Sequence, residues 1–283
     1  MNKFAVIGHP IAHSLSPKMH AANFAAIGYA GTYEKFDVAP EDVSAFVMEK
    51  RREGYLGLNV TVPHKMAVLP LIDSPDESVT RYGACNTLKF CADGSIRGYN
   101  TDVIGFVTVL SAHGFSLRGR KVAVIGCGGA GSALAKCACF EGASGIALAD
   151  LRAESVERLA DEIAGAGFSG EVERLGVPED AGLSGRKAAW GEAASAADLV
   201  VNATPMGLHP GEPPALPAEC FRPGQFVLDI VPTRETPPTA VAAASAGATA
   251  VDGLEFLVGQ GAKSFEIWTG LAADRKAMLA AIR

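Results

Sequence analysis

The stretch Lys121-Val-Ala-Val-Ile-Gly-Cys-Gly-Gly-Ala-Gly-Ser132 constrains this chain most: an apolar run, a glycine turn, then small residues that can open a helix. Gly126, Gly128 and Gly131 stand in the spacing G-x-G-x-x-G, with Gly129 and Ala130 completing the turn. In that spacing the first glycine permits a tight turn, the second lets backbone approach a pyrophosphate, and the third lets the helix pack closely on the strand. The unpaired N–H groups at the helix start then face the anion. In a chain with 32 glycines such spacing also fits a loop, so the context matters. Ser132 to Phe140 is helix-compatible, Gly145 to Ala149 is a second apolar run, and Asp150 closes it 24 residues after Gly126 (150 minus 126). An acidic side chain at about that distance is what a ribose 2'-hydroxyl needs. The stretch reads as the opening of a dinucleotide-binding domain.

A chain of 283 residues can bury a substantial core and most naturally makes two domains. Its 48% apolar and 20% charged content is that of a globular protein. A net charge of −6 and a pI near 5.6 leave no electrostatic footprint for nucleic acid or an anionic membrane, and neither is expected as a partner. No apolar run has the length of a bilayer span, and the N-terminus enters a strand-like segment without a cleavage signal, so a cytoplasmic location is expected. Six cysteines without C-x-x-C pairing predict reduced thiols and no metal site.

Along the chain, Phe4 to Gly8 reads as a strand, and a loop carrying Ser14 and Ser16 follows. Ser16 is a candidate N-cap before Pro17 and a helix over Lys18 to Ile27, while both hydroxyls also lie where open α/β sheets bind ligands. Tyr33 to Val38 is a second strand, and Val43, Phe46 and Val47 give the next helix its apolar face. Tyr55-Leu-Gly-Leu-Asn59-Val-Thr61-Val-Pro63-His64-Lys65 is a strand stopped by Pro63, with Lys65 beginning a helix toward Leu71. A lysine on the turn after a buried strand is poorly placed for mere solvation, whereas Asp102, in a first helical turn, also suits the helix dipole. From 121 to about 231 strands alternate with helices, which indicates a parallel, doubly wound sheet. The Pro-rich pieces at 210 to 217 and 232 to 238 are loops, the second a candidate domain hinge, and the C-terminal piece through Gln260, Phe265 and Trp268 is helical.

Ser14-Leu-Ser16-Pro17, Asn59-Val-Thr61-Val-Pro63-His-Lys65, Gly83-Ala-Cys-Asn86-Thr87, Asn100-Thr101-Asp102, Asn202-Ala-Thr204-Pro205-Met206-Gly207 and Gln260-Gly-Ala together resemble the shikimate dehydrogenase family, in the family's order. The resemblance implies an α/β fold of two domains: a substrate domain over 1–102 plus 239–283, with a mostly parallel sheet, and a Rossmann-type NAD(P)-binding domain over 103–238. It implies reversible hydride transfer between a nicotinamide and shikimate or 3-dehydroshikimate, with quinate accepted by some members. Carried over, Lys65 and Asp102 are the catalytic pair, and Ser14, Ser16, Asn59, Thr61, Asn86, Thr101 and Gln260 contact the substrate. The cofactor side comprises Gly126, Gly128, Gly129, Ala130, Gly131, Asp150, Arg152, Asn202, Thr204, Pro205, Met206 and Gly259. A monomer or homodimer is implied.

The chain departs from the family pattern at two places. Biosynthetic members carry an Asn-Arg-Thr type pattern suited to a 2'-phosphate, where this chain has Ala149-Asp150-Leu151-Arg152. A carboxylate about 4 Å from a phosphate repels it by roughly 1 kcal/mol per charge pair even in water-like dielectric. NAD is therefore the expected cofactor, with NADP kept open by the Arg152 guanidinium. After Asp229 the family often places a substrate-contacting tyrosine, and Ile230 to Thr236 contains none, which brings quinate in as a candidate substrate. The alternatives are an NADP-dependent biosynthetic enzyme and, in another class, a non-catalytic nucleotide-sensing module.

Overall fold

The structure, a computed structural model, describes residues 1–177 and 182–283. The chain runs β1 (Asn2–Gly8), α1 (Ser16–Ala26), β2 (Gly31–Asp37), α2 (Val43–Arg52), β3 (Tyr55–Val60), β4 (Ser74–Pro75), α3 (Glu77–Tyr82), β5 (Thr87–Phe90), β6 (Ile96–Tyr99) and α4 (Thr101–Ala112). It continues through β7 (Lys121–Ile125), α5 (Gly129–Phe140), β8 (Gly145–Asp150), α6 (Ala153–Gly165), β9 (Glu171–Gly176), α7 (Gly182–Ala196), β10 (Leu199–Asn202), β11 (Phe226–Asp229), α8 (Pro238–Ser245), β12 (Thr249–Val251), α9 (Gly253–Thr269) and α10 (Arg275–Ile282).

Two compact units result, Met1–Val109 with Leu257–Arg283, and Leu110–Phe256. Their boundaries fall inside α4 and α9, where the sequence reading set them at 102/103 and 238/239. The second boundary lies later because β12 pairs in parallel with β11 and so extends the second unit's sheet.

In the first unit the strand order is β2-β1-β3-β5-β6-β4. Successive side chains of a strand point to opposite faces. Accordingly Phe4 and Val6 of β1 join Phe24, Phe265 and Trp268 on one face, while Ala5 and Ile7 join Leu58, Val60 and Leu88 on the other. A strand apolar on both faces is what a sheet covered on both sides requires. The sheet is mixed: β1 pairs in parallel with β2 and β3, but β5 runs antiparallel to β3 and β6. In the second unit all five pairings of the order β12-β11-β10-β7-β8-β9 are parallel.

Two local expectations change. Lys65 lies in a run of turns leading to a short 3₁₀ segment at Leu69–Leu71 rather than at the start of an α-helix, because Pro70 has no N–H to continue the ladder. Helix α1 begins at Ser16 itself, with Leu15 at the cap position and Ser16 inside the first turn.

Gly57 shows how tightly the first sheet meets α9. The Trp268 indole N–H donates to the Leu88 carbonyl at 2.9 Å. A Cβ on Gly57 would lie 2.1 Å from that indole nitrogen and 2.5 Å from that carbonyl oxygen. Gly57→Ala is expected to displace the indole, break its hydrogen bond and destabilise the protein by about 2 to 4 kcal/mol. Urea unfolding followed by tryptophan fluorescence measures this, and an unchanged midpoint would contradict the packing described.

Candidate active site

Lys65 is fixed from both ends. Its backbone carbonyl accepts from Cys85 N at 2.9 Å, and its neighbour His64 is anchored by a 2.8 Å hydrogen bond to the Val38 carbonyl. Its side chain, 11% exposed, donates from Nζ to Asp102 Oδ2 at 2.6 Å. Asp102, in the first turn of α4, is 5% exposed in its side chain and donates its backbone N–H to Asn100 Oδ1 at 3.2 Å.

The second Asp102 oxygen accepts from Asn86 Nδ2 at 2.8 Å. That amide cannot rotate freely, because its Oδ1 accepts from Thr101 N at 2.8 Å and from the Thr87 hydroxyl at 3.0 Å. Gln260 on α9 reaches the same cluster: its Oε1 lies 3.4 Å from Asn86 Nδ2 and 3.5 Å from Thr101 Oγ1, while its Nε2 donates to the Leu257 carbonyl at 2.9 Å. Five residues singled out in the sequence, Lys65, Asn86, Thr101, Asp102 and Gln260, thus form one buried polar group within the first unit.

Asn59 is saturated by protein. Its Oδ1 accepts from the Tyr33 hydroxyl at 2.7 Å, and its Nδ2 faces the Asn86 carbonyl, Thr87 Oγ1 and Ser264 Oγ at 3.1, 3.1 and 2.9 Å. Ser14 precedes α1 and Ser16 opens it, with Ser16 N donating to Ser14 Oγ at 3.4 Å. Thr61 follows β3 and is partly exposed, with its N–H donating to the Ile7 carbonyl at 2.9 Å. Gly259 belongs to the first unit, where a Cβ would come within 3.1 Å of Gly105 Cα, so close packing of α9 on α4 accounts for a glycine there.

In the second unit the glycine turn has the geometry expected of its spacing. Gly126 has φ +98, and a Cβ on Gly131 would lie 1.8 Å from the Gly126 carbonyl oxygen, whereas one on Gly128 would meet nothing within 4 Å. The α5 ladder starts with Ser132 N donating to Gly128 O at 2.8 Å, which leaves the amides of Gly129, Ala130 and Gly131 outside it. Asp150 closes β8 with Oδ2 accepting from Cys127 N at 2.7 Å and Oδ1 from Arg152 N at 2.9 Å. The Arg152 guanidinium, on a side chain 60% exposed, lies 3.6 Å from the same carboxylate.

The turn after β10 packs against this one, since a Cβ on Gly126 would press on Ala203 at 2.8 Å. Asn202 shapes it by accepting from Thr204 N at 3.2 Å and Thr204 Oγ1 at 2.7 Å, and Met206 N donates to Thr204 Oγ1 at 3.2 Å. Pro205 lies between them. Asn202 is itself held by Asp229, whose Oδ2 accepts from its Nδ2 at 3.0 Å. Among the described residues no group of three His, Cys, Asp or Glu side chains could hold a metal ion, and no helix is long and apolar enough to cross a membrane.

Residues 6–88 match the family model of the shikimate dehydrogenase substrate binding domain, and residues 253–283 that of the shikimate 5'-dehydrogenase C-terminal domain. A shikimate dehydrogenase (NADP(+)) of Moorella thermoacetica is 40% identical over 271 residues, covering 95% of this chain and 88% of the relative. The chain belongs to the shikimate dehydrogenase family. Membership makes it an oxidoreductase. A Thermus thermophilus shikimate 5-dehydrogenase, solved in complex with NADP(H) and shikimate, superposes with a TM-score of 0.83 at 35% identity over 100% of this chain and 99% of that one. A Corynebacterium glutamicum quinate dehydrogenase in complex with NAD superposes with a TM-score of 0.84 at 31% identity over 99% and 98%.

The sequence reading did not single out Tyr33, Ser264 or Asp229 for the sites. Ser264 lies one helical turn beyond Gln260, an i, i+4 spacing that places both on one face of α9. Asp229 carries a second signal: burial pushes its carboxyl up to about 6, against the bonds donated by Asn202, Val231 and Thr239, with Asp252 adding to the rise. A carboxyl whose folded value exceeds its ordinary 3.8 takes up its proton first in the folded state, so the stability linked to that proton is present below about 3.8 and lost as pH rises through about 6. The stability of the wild type relative to Asp229→Asn is expected to fall by on the order of 3 kcal/mol from about pH 4 to about pH 7. Urea unfolding of both proteins at both pH values measures it, and a pH-independent difference would contradict the assignment.

Proposed function

We propose that this chain catalyses reversible hydride transfer between a nicotinamide dinucleotide and shikimate, giving 3-dehydroshikimate, with NADP as its cofactor. The buried Lys65–Asp102 pair oriented by Asn86 carries this reading, because it supplies one mobile proton and one fixed anion where a polyol would be held. Reduction of a ketone builds negative charge on oxygen, and a cationic amine beside that oxygen stabilises it and donates the proton. In the oxidation direction Lys65 receives the proton from the substrate hydroxyl. Asp102 orients the ammonium and balances its charge. Ser14, Ser16, Thr61, Asn86, Thr101 and Gln260 supply hydroxyl and amide partners for a ring whose buried hydroxyls would each cost roughly 1 to 3 kcal/mol unpaired.

When bound, the nicotinamide supplies or accepts the hydride. The glycine turn fits a dinucleotide: its outer side is open at Gly128, and the amides of Gly129, Ala130 and Gly131 lie outside the helix ladder. Asn202, Thr204, Pro205 and Met206 form the neighbouring turn. The NADP(+) in the Moorella relative's name supports NADP for this chain. One observation favours NAD: the Asp150 carboxylate stands at the end of β8, where a 2'-phosphate would meet a negative charge. Arg152 beside it offers that phosphate a cation. The quinate dehydrogenase neighbour and the missing tyrosine after Asp229 keep quinate as the second substrate.

The test is kcat/KM for shikimate and for quinate, each with NADP and NAD, on the wild type and Asp150→Asn. Shikimate with NADP is expected to give the highest value. Asp150→Asn is expected to raise the NADP-to-NAD ratio about tenfold, equivalent to about 1.4 kcal/mol of relieved repulsion. A wild type at least tenfold better with NAD would establish the second reading, and no turnover of either ring with either cofactor would reject the dehydrogenase assignment.

A further inference from the structure

Beneath the polar cluster a series of side-chain hydrogen bonds runs from Tyr33 to Asp102, with a branch at Thr87, whose Oγ1 also lies 2.8 Å from Ser264 Oγ and 3.3 Å from Thr101 Oγ1. The Tyr33 hydroxyl donates to Asn59 Oδ1 at 2.7 Å, Asn59 Nδ2 to Thr87 Oγ1 at 3.1 Å, and the Thr87 hydroxyl to Asn86 Oδ1 at 3.0 Å. Asn86 Nδ2 then donates to Asp102 Oδ1 at 2.8 Å, and the carboxylate's other oxygen receives Lys65 Nζ at 2.6 Å. All these residues belong to the first unit, and Tyr33, Asn59, Asn86, Thr87, Asp102 and Lys65 are all buried. Hydrogen bonds linked in series in a low-dielectric interior polarise one another, and here the series ends on the anion.

Backbone groups set the sense of that chain: the Asn86 carbonyl, which can only accept, faces Asn59 Nδ2 at 3.1 Å, and the Thr101 N–H, which can only donate, faces Asn86 Oδ1 at 2.8 Å. An asparagine amide offers an acceptor at one end and two donors at the other, so Asn59 could point either way in a symmetric surrounding. Tyr33 adds to that asymmetry from the oxygen side: a buried phenol, held well above its ordinary pKa by desolvation, keeps its proton and donates it to Asn59 Oδ1. The phenol ring is itself immobilised, stacked on His20 with centroids 4.2 Å apart and planes 7° from parallel.

We propose that Tyr33 is a positioning residue for the reaction: by holding the Asn59 amide from its oxygen side it braces the chain through Thr87 and Asn86, and so the placing of Asp102 against Lys65. This deepens the dehydrogenase reading given above and rests on it. Tyr33 touches no reacting atom in this account. The titratable groups along the chain are Lys65 and Asp102 at its end, Cys85 beside them and His20 under the phenol. Burial pushes the Cys85 thiol up to about 11 and the His20 ring down to about 3, so neither changes charge between about pH 5 and pH 9.

The experiment compares Tyr33→Phe, which keeps the ring and its stack, with Thr87→Val, which cuts the chain two links nearer Asp102, and Thr87→Ser, which keeps the hydroxyl. For shikimate oxidation, Tyr33→Phe is expected to lower kcat about fivefold or more and to move the pH profile of kcat by half a unit or more, with the cofactor dissociation constant unchanged. Thr87→Val is expected to reproduce both effects and Thr87→Ser to restore wild-type values. Wild-type kcat and pH profile in Tyr33→Phe and Thr87→Val would overturn the proposal. So would a loss confined to the melting temperature with an unmoved profile. If the wild type itself turns over no shikimate, the dehydrogenase reading fails first, whereas an active wild type with indifferent variants sinks this inference alone.

Discussion

An ammonium and a carboxylate 2.6 Å apart inside the first unit are the constraint around which its polar residues are arranged. Removing each ion from water costs several kcal/mol even after relaxation, and mutual attraction offsets this only when the remaining donors and acceptors are also satisfied. The structure meets that condition on the carboxylate side through Asn86, and it fixes Asn86 in turn through Thr101 and Thr87. The sheet topology makes these meetings possible. Where β5 turns antiparallel to β3, Asn59 comes opposite Thr87, and where β6 pairs with β5, Thr87 comes opposite Tyr99, so that Asn100 and Asp102 follow directly. A wholly parallel sheet of the kind seen in the second unit would not bring these strand ends together in this way.

Much of this was legible from the sequence because it rests on local rules. The glycine turn needs φ > 0 at Gly126 and no Cβ at Gly131, and only glycine meets both conditions. Lys65 stood out because Pro63 ends a buried strand just before it, whereas Asp102, which in a first helical turn also suits the helix dipole, stood out only through the family resemblance. The closure of 2.6 Å between them is non-local and no spacing rule contains it. Ser264 and Thr87, 177 residues apart, share a hydrogen bond of 2.8 Å for the same reason.

Other elements escaped because their patterns are weak. Strand β9, Glu-Val-Glu-Arg-Leu-Gly, is a largely exposed edge strand with little apolar alternation, and its Arg174 pairs with Asp161 on α6 at 2.9 Å. Strand β12 has three residues beside an alanine-rich helix and is defined by its pairing with β11 rather than by its own composition. The helix expected from Lys65 onward failed on a single residue, Pro70, and the cap expected at Ser16 moved one position to Leu15. At Asp150 and Arg152 the sequence poses a question of charge that geometry sharpens without removing, because the carboxylate and the guanidinium lie 3.6 Å apart.

The central claim is that Lys65 and Asp102 act as one unit, and a double-mutant cycle tests it most directly. Wild type, Lys65→Met, Asp102→Asn and the double variant are compared by kcat/KM for shikimate oxidation, with cofactor affinity and unfolding midpoint measured on each. Each single substitution is expected to lower kcat/KM by about a hundredfold or more, with the double variant no worse than the poorer single one, as for groups that work together. Losses that simply multiply, or a Lys65→Met protein with undiminished turnover, would contradict it.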